Sequence, residues 1–189
     1  MIALLFITAS AWVQISDRGG VLVEARPVAG LAFKEHRLSA KTTASIEAID
    51  AYFHDRFQVL KDARVIRTVL EKTPDKMVFH DRLKMPIGSD RYFTLDFRRT
   101  LDTQTKVLEW KFNEIDSDKS PACDGCVKMV AVHGSWTFAA AQDGGSDISY
   151  VVYSDPGGDL PKWMVASKQT EAATNRIKLL IKDLQSGNK

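Results

Sequence analysis

Alternation of hydrophobic and polar residues predicts β-strands along most of this chain. Residues 13–16 alternate strictly, a turn at Gly19 and Gly20 follows, and residues 21–26 form a second β-prone run, so the chain is predicted to open with a hairpin. The same criterion predicts later strands at residues 31–38, 64–70, 77–83, 92–98, 108–113, 127–140 and 148–153. Short turns separate most of these segments, which favours antiparallel pairing.

The longest helical pattern occupies the end of the chain. Gly157 and Gly158 allow a sharp turn, Asp159 is predicted to cap the helix, and Pro161 is tolerated in its first turn. The helix is predicted to continue to about Gln185. Its apolar stripe consists of Ala166, Thr170, Ala173, Ile177, Leu180, Ile181 and Leu184. Because such a stripe has to pack on another element, the helix is predicted to lie on the sheet.

A shorter helix is predicted between the third and fourth strands. Thr42 or Thr43 is its candidate N-cap, and Ile46, Ile49 and Phe53 share one face. The element order is therefore three strands, a helix, about six strands and a long final helix, which is an α+β arrangement. A curved antiparallel sheet wrapped around the long helix encloses a volume that aromatic side chains can either line or fill.

Composition indicates one globular domain. The chain has 189 residues, of which 44% are hydrophobic and 26% are charged. A net charge of +2 gives no long-range field of the kind that attracts nucleic acid. The only long apolar run, residues 2–11, is shorter than the roughly 20 residues of a membrane-spanning helix, so stable membrane insertion is not expected.

The apolar run at the start of the chain is typical of a signal peptide. Residues 2–7 would form its hydrophobic core, and Ala9-Ser10-Ala11 matches a small-x-small cleavage pattern. The basic first region of a signal peptide is missing, so residues 1–11 are interpreted as a truncated one, and residues 12–189 as the domain. This predicts an exported, periplasmic protein. The alternative is a cytoplasmic protein with an N-terminal apolar helix docked on the fold.

Five motifs in a fixed order carry a family resemblance. They are the opening hairpin at 12–23, the Val-Ala-Gly-Leu-Ala-Phe-Lys-Glu-His-Arg segment at 28–37, Met-Pro-Ile-Gly-Ser-Asp-Arg at 85–91, Gly-Ser-Trp-Thr-Phe at 134–138, and Asp-Pro-Gly-Gly-x-Leu-Pro-x-Trp at 155–163. Together they resemble the START domain in its bacterial single-domain form, within the Bet v 1-like helix-grip (SRPBCC) superfamily. The loop departs from the family pattern at Ile87 and Tyr92, which bears on the ligand rather than the fold.

The resemblance implies a helix-grip fold with a hydrophobic cavity between the sheet and the terminal helix. Such a cavity would bind a lipid or another hydrophobic molecule, with the loop 84–90 and the start of the helix as its gate. Arg67, Asp81 and Arg91 are candidate polar groups beside the cavity; the alternative is that they face solvent. The full set of candidate lining or gate residues is Arg67, Phe79, Asp81, Pro86, Arg91, Phe93, Trp110, Trp136, Tyr150 and Trp163.

Cys123 and Cys126 form the only motif with an obvious chemistry. In an exported protein they would form a small disulfide, and otherwise they would be free thiols. A zinc site needs more ligands than the nearby His133 can add, and a redox pair would be expected at a strand-to-helix junction. No catalytic residue, metal ligand or cofactor is therefore assigned.

Three functions remain open at this point. The first is a monomeric carrier or sensor of one hydrophobic ligand. The second is a cyclase, dehydratase or hydrolase that uses the same cavity, which would require an internal acid–base pair. The third is an interaction module whose sheet or helix binds a partner protein, which a large exposed apolar patch would favour. Fold alone does not decide among them.

Overall fold

The computed structural model describes residues 10–59 and 62–186. Most of the predicted signal peptide, residues 1–9, lies outside the described residues. The strands and helices are β1 (Val13–Arg18), β2 (Val21–Pro27), β3 (Lys34–Thr42), α1 (Ile46–Asp55), β4 (Val65–Thr73), β5 (Lys76–Leu83), β6 (Arg91–Asp102), β7 (Val107–Glu114), β8 (Val127–Lys128), β9 (Ala131–Ala140), β10 (Ser146–Asp155) and α2 (Lys162–Ser186).

All ten strands belong to one sheet, in the order β1-β2-β3-β10-β9-β7-β6-β5-β4, with the short β8 paired to β6. Every pair along this path is antiparallel, and only the β6–β8 pair is parallel. The first three strands are joined to the later seven through β3 and β10. This is the predicted α+β helix-grip arrangement, and the fold prediction is confirmed.

Both helices cover one face of the sheet. Buried residues of α2 recur along the predicted stripe at Ala173, Ile177, Leu180 and Leu184, and the helix packs mainly on β3, with further contacts to β2, β10 and α1. The buried side chains of α1 pack toward β7 and β9. The apolar residues of each helix face the sheet, whereas Lys162, Lys168, Glu171, Lys178 and Lys182 of α2 face solvent.

The structure corrects the predicted starts of both helices. The N-cap of α1 is Ser45, whose hydroxyl accepts from the backbone N–H of Ala48 at 3.3 Å, because Thr42 still belongs to β3. Helix α2 begins at Lys162 rather than after Asp159. The carbonyl of Pro161 accepts the first helical N–H bonds, so Asp159 lies too early in the chain to cap it.

The prediction of one strand over residues 127–140 is also wrong. Val127 and Lys128 pair with β6 in parallel, whereas β9 begins at Ala131 and pairs with β7 and β10. Between β8 and β9, the backbone N–H of Met129 donates to the carbonyl of Tyr92 on β6. The N–H of Val130 donates to the carbonyl of Asp155 on β10. The chain changes strand partners at this point, which an apolar run cannot reveal.

Gly134 is required by a close approach of two strands. A side-chain Cβ at this position would overlap the backbone carbonyl of Val151 and would lie 2.7 Å from the ring of Phe112. The glycine of the Gly-Ser-Trp motif therefore allows β7, β9 and β10 to pack closely where the sheet faces α2.

Within the described part of the chain, neither helix is both long and apolar enough to cross a membrane.

A buried histidine connects α2 to the sheet. His36 on β3 is 5% exposed, and its Nε2 lies 3.0 Å from the Thr170 hydroxyl on α2. Burial, and secondarily the positive charge of Lys34, lowers the pKa of His36 from its ordinary value of 6.5. Burial also lowers the pKa of His80, against the opposing charge of Asp81. Burial therefore disfavours the protonated form of both imidazoles in the folded protein.

We expect the free energy of unfolding to fall as the pH drops below 6.5. The unfolded chain then takes up protons at His36 and His80 that the folded chain resists, so stability rises with pH and is lost on acidification. The slope contributed by each histidine is at most about 1.4 kcal/mol per pH unit. Urea unfolding across this range measures it, and His36→Gln should flatten the slope. Equal slopes for wild type, His36→Gln and His80→Gln would contradict this assignment.

Candidate functional site

Aromatic side chains form the inner wall of the sheet beneath α2. Trp136 lies opposite Tyr150 on β10 and opposite Trp110 on β7, which places all three on one face. The rings of Trp136 and Tyr150 stack with their centroids 3.8 Å apart. Phe53 of α1 stacks on Trp110 at 5.6 Å, so the short helix closes this wall. Phe79 is also fully buried, and Phe93 is partly buried against the same core.

Arg67 and Asp81 form a buried ion pair in this apolar interior. They face each other on β4 and β5, and the guanidinium binds both carboxylate oxygens, with Nε–Oδ1 at 2.7 Å and Nη2–Oδ2 at 2.6 Å. Their side chains are only 8% and 4% exposed. Arg67 also donates to the carbonyl of Phe57 and lies over the ring of Phe79. The alternative of two solvent-facing charges is wrong.

The pair has a specific chemical consequence. The Asp81 carboxylate accepts two charge-assisted bonds from one guanidinium, which is a strong and geometrically fixed arrangement. A carboxylate held in this way is poorly suited to act as a general base, because proton uptake would break the pair. The geometry therefore does not favour the enzyme alternative at this position.

Arg91 joins two loops rather than lining the aromatic wall. Its side chain donates to the carbonyls of Ser89, Pro156 and Gly157, with the bond to Pro156 at 2.9 Å. The guanidinium of Arg91 therefore donates hydrogen bonds both to the predicted gate loop 84–90 and to the segment that precedes α2. Arg91 fixes the position of one loop against the other.

The two remaining gate candidates lie on the surface. Pro86 is exposed in the loop between β5 and β6, and Trp163 is 77% exposed in the first turn of α2. Neighbouring Ile87 is 72% exposed. Neither Pro86 nor Trp163 contributes to the inner wall.

Sequence reasoning missed Arg176, which α2 directs toward the interior. Its guanidinium carbon lies 4.7 Å from the centroid of the Phe57 ring. Burial, followed by the like charge of Arg67, lowers the pKa of Arg176, whereas Tyr150, Asp81 and Tyr52 oppose that shift. A signal was present in the sequence, because position 176 falls within the apolar stripe of α2.

A small pocket opens beside Arg176, between the end of α1 and α2. It encloses about 20 Å³, close to the space of one water molecule. At its edge the Tyr52 hydroxyl donates to Asp183 at 3.1 Å, and burial together with Asp183 raises the pKa of Tyr52 to about 12. The pocket is lined by Tyr52, Phe57, Val59, Arg176, Leu179, Leu180 and Asp183.

A second pocket lies on the opposite face of the sheet. It encloses about 240 Å³ under the loop between β7 and β8. His80 Nδ1 lies 3.0 Å from the Thr94 hydroxyl, which lies 2.7 Å from that of Ser120. Cys123 and Cys126 are joined by a disulfide in the same loop. The described residues contain no group of three or more metal-ligating side chains.

Comparison with known proteins identifies the fold. No family model matches the chain. The uncharacterized protein PA1579 of Pseudomonas aeruginosa is 23% identical over 176 residues, which cover 90% of this chain and 85% of that protein.

Solved structures are more informative. A STAR-related lipid transfer protein from Xanthomonas axonopodis superposes with a TM-score of 0.78 at 22% identity, covering 92% of this chain and 98% of that one. Human StAR-related lipid transfer protein 5 has a TM-score of 0.80 at 16% identity, covering 94% and 88%. This chain therefore has the START-type helix-grip fold, and its resemblance to START domains is confirmed at the level of the fold.

Proposed function

We propose that the protein binds one lipid or similarly hydrophobic molecule between the inner face of the sheet and α2. The observation that carries the proposal is the aromatic inner face of the sheet, which α1 covers at β7 and β9 and the amphipathic α2 covers at β3 and β10. Burying a greasy ligand there would gain about 25 cal/mol for each Å² of apolar surface removed from water. The structural similarity to proteins named for lipid transfer supports the same class of ligand.

Ligand entry requires the helix side of the interior to open. The pocket beneath α2 encloses only about 20 Å³, which is far too small for a lipid. The sheet is one hydrogen-bonded unit, whereas α2 is attached to it through side chains, so α2 and the gate loop 84–90 are the elements that would move. The exposed Trp163 and Ile87 lie on these two elements, as candidate contacts for an incoming ligand.

We also propose that the protein acts outside the cytoplasm. The apolar start of the sequence and its small-x-small pattern support export, and a disulfide between Cys123 and Cys126 is suited to an oxidising compartment. The direct test is the N-terminal sequence of the protein recovered from periplasmic and cytoplasmic fractions of its own source.

Native mass spectrometry of the protein purified from its own source tests the binding function. We expect one hydrophobic adduct per chain, which lipid extraction and fragmentation would then identify. The same protein, stripped of ligand, should bind a fluorescent fatty acid with a stoichiometry of one. A clean mass without adduct, together with no binding of the fluorescent probe, would overturn the proposal.

A further inference from the structure

Arg176 is a cation that no carboxylate of residues 10–59 or 62–186 binds. It occupies the apolar stripe of α2, three residues after Ala173 and four before Leu180, both of which are buried. Its observed contact is with the face of the Phe57 ring. Among the described residues no acceptor forms a hydrogen bond or ion pair with its guanidinium. An arginine in this position is costly unless a partner satisfies it, because the group stays charged.

Neighbouring charges do not supply that partner. Asp81 is bound through both oxygens to Arg67, so this pair is neutral overall and its carboxylate is already used. Asp183 lies seven residues after Arg176 at the edge of the same pocket, where it accepts from Tyr52. The positive charge of Arg67 also acts on Arg176. The interior near Arg176 therefore favours a further negative charge.

Tyr150 offers a second donor, its phenolic hydroxyl. The residue is 9% exposed. Burial raises the pKa of Tyr150 to about 12, so its hydroxyl keeps its proton. Arg176 and Arg67 act electrostatically on Tyr150 and oppose this rise in its pKa. The Tyr150 ring stacks on Trp136, so its hydroxyl is a second donor on the aromatic wall.

We propose that Arg176 receives the anionic head group of the hydrophobic ligand, a carboxylate or a phosphate, with the Tyr150 hydroxyl as a supporting donor. This inference rests on the proposed function and specifies the ligand as an anionic amphiphile. The acyl tail would lie along the aromatic wall, while the head group would complete the hydrogen bonds of the guanidinium. Such a head group would make the interior electrically neutral at this point.

Two probes that differ only in the head group test the inference on the full chain. Oleate carries a carboxylate, and oleyl alcohol has the same tail with a neutral hydroxyl. We expect the wild type to bind oleate about tenfold or more tightly than oleyl alcohol, which is the strength typical of a charge-assisted hydrogen bond. Arg176→Gln should remove this preference and leave the affinity for oleyl alcohol within about twofold.

Controls separate this role from a structural one. Lys178→Gln removes the same charge from an exposed position on the same helix and should leave the preference for oleate unchanged. Without ligand, Arg176→Met should be as thermally stable as wild type or more so, because it removes a half-buried cation that no described carboxylate binds. If the role of Arg176 were structural, its replacement would instead lower the thermal stability of the protein. Oleoyl lysophosphatidate, as a third probe, distinguishes a phosphate from a carboxylate head group by its affinity relative to oleate.

The outcomes discriminate between the two levels of the proposal. Equal affinity of the wild type for oleate and oleyl alcohol would overturn the role of Arg176 and leave hydrophobic binding intact. If Arg176→Gln lowers the affinities for oleate and oleyl alcohol equally, the role of Arg176 in head-group recognition is also overturned. Failure of the wild type to bind any of the three probes would overturn the proposed function, and the role of Arg176 with it.

Discussion

Asp81→Ala should destabilise the protein by about 3–5 kcal/mol. The substitution leaves the guanidinium of Arg67 in the apolar interior without the carboxylate that now binds it through two bonds of 2.7 and 2.6 Å. With a side chain only 8% exposed, Arg67 has little access to water as a substitute. Urea unfolding followed by circular dichroism measures the loss, and the melting temperature should drop by roughly 6–20 °C.

Two further variants define the cause. Glu171→Ala removes a carboxylate from the exposed ion pair with Lys168 and should cost less than about 1 kcal/mol. The double variant Arg67→Met, Asp81→Leu removes both buried charges and should recover most of the stability lost by Asp81→Ala. If the free energy of unfolding of Asp81→Ala lies within about 1 kcal/mol of the wild-type value, the ion pair behaves as a solvent-exposed pair, which contradicts its assigned burial.

The strands were predictable because their pairing is local in sequence. Most neighbours in the sheet follow one another along the chain, so period-two patterning and turn residues are enough to indicate a meander. The pairing of β3 with β10 is not local, and no pattern in either strand predicts it. The break at Val130 could not be predicted, because it depends on a change of partner from β6 to β10.

Helix α2 illustrates the limits of capping rules. Asp159 has the right chemistry for an N-cap, yet the carbonyl of Pro161 begins the helical ladder. The preceding segment is instead held by Arg91, which binds the carbonyls of Pro156 and Gly157. That contact joins residues far apart in the sequence, and no local pattern around residue 159 predicts it.

The candidate site was predictable only where burial follows hydrophobicity. Trp110, Trp136 and Tyr150 lie on the inner wall because alternation assigns them to one face. The pairing of Arg67 with Asp81 depends on the register between β4 and β5, which shifts between Val69 and Glu71. A one-residue error in register would have separated the two charges onto opposite faces. Their contact was therefore beyond sequence reasoning.

Arg176 was overlooked for a different reason. Its position within the apolar stripe was readable from the spacing of α2, but a single charge in a stripe is usually assigned to the helix edge. What distinguishes Arg176 is the absence of a carboxylate at hydrogen-bonding distance among the described residues, together with its contact to Phe57. Both facts depend on tertiary structure.

Trp136→Ala should be the most damaging truncation of the inner wall, at about 3–5 kcal/mol. The indole is 1% exposed and stacks on Tyr150 with the ring centroids 3.8 Å apart, so its removal leaves a large void in the centre of the sheet. It also loses ring contacts with Phe53, Phe57 and Phe138. Guanidinium chloride unfolding, followed by far- and near-ultraviolet circular dichroism, measures the effect.

The chain supplies a matched control in Trp163→Ala. This indole is 77% exposed in the first turn of α2, so the same substitution should change stability by no more than about 0.5 kcal/mol. Trp136→Phe, which retains an aromatic ring, should cost less than Trp136→Ala because less volume is lost. Similar losses for Trp136→Ala and Trp163→Ala would contradict the placement of Trp136 in the wall. A large difference would show that the buried aromatic face of the sheet, and not the exposed first turn of α2, carries this stability.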